Sequence, residues 1–130
     1  MMNAIYKTEV DIDLRLFQID RRGMDSFHGD LYMVQFEAVD IGLENLFVRY
    51  KANEPLTTSN NDFGKIIIDF LLGVEQLLDV VGYIRGELRL GIYFNPRIIP
   101  AFSLHLSDCS IRKLSKYNIS FEAILYPSDG

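Results

Sequence analysis

The sequence predicts an α+β domain, a largely antiparallel sheet with one long and one short helix packed on one face. Charged and apolar residues alternate from Lys7 to Leu16, the mark of a strand with one wet and one buried side. Apolar residues recur at three-and-four spacing from Phe63 to Val81, the mark of an amphipathic helix. The order of these periods, with strands first, then the long helix, then strand, short helix and strand, is that of an α+β fold. With 130 residues, the chain is expected to form one domain (1–130) and to bury about two-thirds of its unfolded surface.

In the first strand Val10, Ile12, Leu14 and Leu16 point to the core, while Glu9, Asp11, Asp13 and Arg15 point to solvent. The glycine-containing segment 21–30 then reads as the turn of a hairpin. LYMVQFEAV and LFVRYKA supply two further strands, joined through IGLEN. NEPLTTSNND is polar and contains proline, so it reads as a loop ending in a helix cap, Asn61 or Asp62.

The long helix buries Phe63, Ile66, Ile67, Phe70, Leu71, Val74, Leu77, Leu78 and Val81. Lys65, Asp69, Gln76 and Asp79 fall largely opposite. Gly73 within it costs on the order of 1 kcal/mol relative to alanine, which points to a close approach by a neighbouring backbone. ELRLGIYFN reads as a strand, and Pro96 and Pro100 bracket a loop. FSLHL reads as a short strand leading to a cap at Ser107 or Asp108. The short helix, about 109–117, turns Ile111 and Leu114 to one side, carries Arg112, Lys113 and Lys116 near its C-terminal end, and stops at Asn118. ISFEAILY, ending at Pro127, is the last strand.

Composition narrows the function. The chain is 48% hydrophobic and carries a net charge of -5, with a pI near 4.9. Binding to a phosphate backbone needs a surplus of lysine and arginine, so nucleic acid is not an expected partner. An acidic balance instead favours encounter with a basic protein. Cys109 is the single cysteine, the longest apolar stretch is interrupted by Asp69, Glu75, Gln76 and Asp79, and the N-terminus has no signal-like apolar run. A cytoplasmic protein without membrane association is expected. The sequon at Asn118 to Ser120 is then a chance match.

The chain has no nucleophile elbow, P-loop, dinucleotide fingerprint or zinc-protease motif. His105 and Cys109 are four residues apart, without the further ligands a metal site requires or the third group a nucleophile pair requires, so neither a cofactor nor a metal is expected. Cys109 reads as a small buried hydrophobe. Paired carboxylates such as Asp11 with Asp13 or Glu37 could do acid and base work only where a cleft desolvates them. The candidate partner-binding residues are therefore the acids Glu9, Asp11, Asp13 and Glu37. Ile98 and Ile99, between two prolines in FNPRIIPAF, either fold back on the core or are the candidate apolar anchors, with Tyr83 and Tyr93 as additions. Arg49 and Lys51 would partly balance the acidic strand if their strand lies beside it.

The C-terminal half, from FGKIIIDFLLGVEQLLDVVGYI through ELRLGIYFN and AFSLHLSDCSIRKLSKYNISFEAILY, resembles a family of small bacterial domains of unknown function, some predicted to be immunity proteins of polymorphic toxin systems. The helix before a strand, the SLHLSD entry into a short helix and the final strand ending at Tyr126 carry the resemblance. It implies a non-enzymatic inhibitor that binds a cognate protein toxin and occludes its active site. The alternatives are a small-molecule-binding or enzymatic domain with a cleft between sheet and helix, and a self-associating subunit that uses an open sheet edge.

Overall fold

The computed structural model describes residues 7–22, 32–50, 56–59, 62–98 and 102–127. The elements are β1 (Lys7–Phe17), β2 (Tyr32–Asp40), β3 (Leu43–Tyr50), β4 (Leu56–Ser59), α1 (Phe63–Val80), β5 (Arg85–Phe94), α2 (Asp108–Lys116) and β6 (Ile119–Pro127). The strands form one sheet of six, ordered β2-β3-β1-β5-β6, with β4 also paired to β1. Every pairing is antiparallel except β5 with β6. The α+β architecture is therefore the observed one.

β1 is the centre of the sheet because its alternation suits both neighbours. Glu9 pairs with Tyr93 on one side and Thr57 on the other, so β4 lies along the same edge of β1 that β3 occupies further on. Val10, Ile12, Leu14 and Leu16 are all buried, as are Leu46 and Val48 of β3 and Leu88, Leu90 and Ile92 of β5. These residues make one apolar sheet face, and α1 covers it with Phe63, Ile67, Phe70, Leu71, Val74, Leu77 and Leu78.

Each helix begins where a side chain satisfies a free backbone N–H. The Asp62 carboxylate accepts from the Lys65 amide at 3.2 Å, and the Ser107 hydroxyl accepts from the Ser110 amide at 3.1 Å. α2 has Asp108 in its first turn and Lys113 and Lys116 in its last, each of the sign its end favours. It stops at Asn118, which takes a left-handed φ of 53°. The helices are clamped together by Glu75, which accepts from Lys113 Nζ at 2.7 Å and Tyr117 Oη at 3.2 Å, and by Asp79, which accepts from Tyr117 Oη at 2.6 Å.

Several expectations are corrected. β1 and β2 are not a hairpin: β3 lies between them, because β1 fills its edges with β3, β4 and β5. The rest of that expected turn, 23–30, lies outside the described residues, as do Asn61 and Lys51. The supposed loop NEPLTTSNND contains β4, whose two threonines suit a strand. The β2–β3 connection is only Ile41 and Gly42, the glycine taking a φ of 77°. FSLHL is not a strand, since the β5 edge it would need is taken by β6. Ile111 is 51% exposed, and Leu114 alone of that pair is buried. The close approach at Gly73 is by a side chain: a Cβ there would stand 1.6 Å from the Tyr32 hydroxyl.

Candidate functional site

The sheet face away from the helices carries the acids, and register decides what stands beside each. Asp13 pairs with Arg49 on β3 and Arg89 on β5, and Arg89 pairs in turn with Glu122 on β6. One row across the sheet therefore reads arginine, aspartate, arginine, glutamate. In the next row Arg15 lies beside Phe47 and Glu87, with its guanidinium 5.6 Å from the Phe47 ring centre and 3.3 Å from the Glu37 carboxylate. The middle of the face is thus a lattice of alternating charge, with Arg15–Glu37 and Arg89–Glu122 as ion pairs at 3.3 and 3.9 Å and no ion pair to Asp13 among the described side chains. Asp13 is half-buried there, and burial raises its pKa against the opposing pull of Arg89, Arg15 and Arg49.

The end of the face near Glu9 is built differently. Tyr93 and Tyr126, opposite each other on the parallel strands β5 and β6, stack at 4.8 Å with their planes 13° apart. Tyr93 Oη donates to Asp11 Oδ2 at 2.6 Å, and this bond to a carboxylate pushes the phenol pKa up to about 12. Gly91 sits between them: a Cβ there would come within 3.2 Å of the Tyr126 ring and 3.6 Å of Asp11 Cβ. A larger residue at 91 would crowd the tyrosine against the aspartate. Among the described side chains no cation bridges Glu9 or Asp11. Tyr93 and Tyr126 are 40% and 41% exposed, so two rings and two acids reach solvent together.

The structure divides the residues chosen from the sequence. Glu9 and Asp11 belong to the acidic and aromatic end, and Asp13 to the charge lattice beside it. Glu37 lies at the opposite end of the face, held to Arg15. Ile98 is 49% exposed in the turn after β5, its amide bonded to the Asn95 carbonyl at 3.0 Å, and Ile99 lies outside the described residues. Arg49 is the predicted neighbour of the acidic strand. Tyr83 is part-buried and donates to the Tyr117 carbonyl at 2.6 Å, so it braces the fold. Neither Tyr126 nor Gly91 is among the candidate binding residues read from the sequence. The one available signal was that YF-Asn95-Pro96 and Y-Pro127 end two strands alike, which is informative only once those strands are known to be parallel neighbours.

Two open grooves lie elsewhere. One, of about 540 Å³, runs between the start of α1 and the 102–107 segment and is lined by Asp62, Lys65, Ser103, His105 and Ser107 among others. Gly64 permits that approach, since a Cβ there would stand 2.5 Å from the His105 carbonyl oxygen. The other, about 280 Å³, is lined by Cys109, Arg112, Lys113 and Lys116 on α2. Cys109 is exposed, contrary to the expectation of a buried thiol, because the first turn of α2 turns Ser110 inward in its place. Among the described residues no three potential ligands converge on a metal position, and no helix is long and apolar enough to cross a membrane.

Comparison with protein families, with curated proteins and with solved structures gives no match for this chain.

Proposed function

We propose that this protein is a cytoplasmic protein-binding domain of the inhibitory, immunity-like kind that neutralises a basic partner, such as a toxin, by covering its active surface. The observation that carries this reading is the stacked Tyr93–Tyr126 pair beside Glu9 and Asp11. Tyrosines supply large contact area with little rotamer freedom to lose, and they dominate interface energetics. Their ring faces and the two neighbouring carboxylates together suit an arginine or lysine from a partner. The Asp11–Tyr93 bond fixes both groups before binding, which lowers the ordering cost. The hydrogen bond from Tyr93 to Asp11 holds the phenol proton, with its pKa pushed up to about 12, so the pair serves as a fixed contact surface in this reading.

The test is a tagged pull-down from cells that make the protein, at low and high salt, comparing wild type with Glu9→Lys/Asp11→Lys and with Tyr126→Ala. The expected result is a basic protein captured near stoichiometry by wild type, weakened by salt, and lost or reduced at least about tenfold with either variant. Asp13→Lys, set between two arginines, should disturb binding less than the Glu9 and Asp11 reversal. Capture that is indifferent to all of these changes would overturn the reading.

A further inference from the structure

We infer that β6 is a dimerisation edge, across which a second copy of this chain pairs antiparallel about a two-fold axis at Ala123. The inference does not depend on the proposed function.

β6 ends the sheet, pairing with β5 alone among the described residues. Gly86 is level with Ile119, and its amide bonds the Asn118 carbonyl at 3.0 Å. In a parallel ladder a residue bonds the positions before and after its partner, so Ser120, Glu122, Ile124 and Tyr126 turn their backbone groups toward β5. Ile119, Phe121, Ala123 and Leu125 therefore turn N–H and C=O to the open side, which is a template for another strand.

The edge strands of the sheet are protected unequally, β4 being only four residues long. β2 carries Glu37 and Asp40, and its ladder is irregular between Ala38 and Asp40, as protected edges often are. β6 shows a regular register along its whole length and one charge, Glu122, which lies 3.9 Å from Arg89. Proline enters only at its last residue.

The strand is also complementary to itself. An axis at Ala123, the middle of Ile119–Pro127, sets two Ala123 residues opposite and lets them exchange both backbone bonds. Phe121 then faces Leu125, Ser120 faces Tyr126, and Glu122 faces Ile124, so no like charges meet. Moving the axis to Glu122 would oppose two carboxylates. On the helical side, Leu125 is 52% exposed and gains Phe121 of the second copy. Ile111, 51% exposed, lies on the α2 flank opposite Lys113, which bonds Glu75 of α1.

The experiment is sedimentation of the full chain at about 100 µM, with two sets of variants. Wild type is expected to be a dimer. Ala123→Lys puts like charges on the axis and should weaken dimerisation at least about tenfold, with an unchanged circular dichroism spectrum. In a Cys109→Ser background, Ala123→Cys should form a disulfide-linked dimer on mild oxidation, because opposed Cα atoms in a bonded pair stand about 5.5 Å apart. Glu122→Cys, which does not face itself in this register, should not. A monomeric wild type, a dimer that survives Ala123→Lys, or equal cross-linking at 122 and 123 would each overturn the inference. If Ala123→Lys fails to fold, the wild-type mass and the cysteine pair decide it.

Discussion

At the scale of the residue, the consequential positions are those where one atom more would collide or one charge fewer would relieve. A methyl group at Gly73 would overlap the Tyr32 hydroxyl, and that ring is fixed by stacking on Tyr50 at 5.0 Å and by the edge of Phe70 at 5.8 Å. Gly73→Ala should therefore destabilise the fold by about 1–3 kcal/mol despite the helix propensity gained. Tyr32→Phe should recover part of that loss in a double-mutant cycle read by urea unfolding, because it removes the atom in the way. Additive effects would show that the two do not meet. Asp13 poses the opposite case. Its folded pKa is raised by burial, so the folded state holds the proton more tightly than the unfolded chain does. Stability attributable to Asp13 accordingly falls as the pH rises from the ordinary aspartate value of 3.8 through the raised folded value. Asp13→Asn should cost nothing at pH 7, and wild type should gain on the variant as the pH drops through that window. A variant clearly less stable at pH 7 would mean that Arg49 and Arg89 outweigh burial.

At the scale of the element, the sequence is most legible in β1, α1 and α2. The alternation along β1 from Thr8 to Leu16 and the spacing from Phe63 to Val81 assign inward and outward residues correctly, with Ile66 only part-buried, because each is a local geometric period. Caps were also legible, since a capping side chain reaches only two or three residues along the chain. FSLHL and NEPLTTSNND were misread for a related reason: whether a short stretch pairs depends on which edge is free. The contact between the helices is carried by Glu75, whose pKa is lowered first by its bond to Lys113 and further by Tyr117. A depressed acid contributes stability above its unfolded value, near 4.5, and loses it as the pH falls through the folded value. Glu75→Gln should lower the melting temperature at pH 7, and the difference from wild type should shrink on acidification below that range. A constant difference would assign the effect to packing.

At the scale of the whole molecule, the three acids of β1 have two fates. Asp13 stands half-buried in a row of alternating charge between Arg49 and Arg89, whereas Glu9 and Asp11 remain at the end where the tyrosines stack. Charge on the open face is therefore concentrated by the sheet order. Pairing through β6 would leave two such ends on one continuous face, so the proposed binding surface and the proposed dimer edge are compatible. Reversal of Glu9 and Asp11 on β1 tests the binding surface alone and Ala123→Lys on β6 tests the edge, whereas Tyr126, on β6 and facing Ser120 of the second copy, belongs to both.

The sequence by itself determined which side of each strand and helix meets water, where the helices begin, and that an acidic row lies on the exposed face. Those properties follow from side-chain polarity repeated at a fixed local period. Only the tertiary structure decided which strands are neighbours, since the backbone groups that pair strands are nearly the same at every residue and carry little sequence signal. It thereby decided that β3 parts β1 from β2, that β5 and β6 run parallel, and that Tyr93 donates its hydrogen bond to an aspartate 82 positions away.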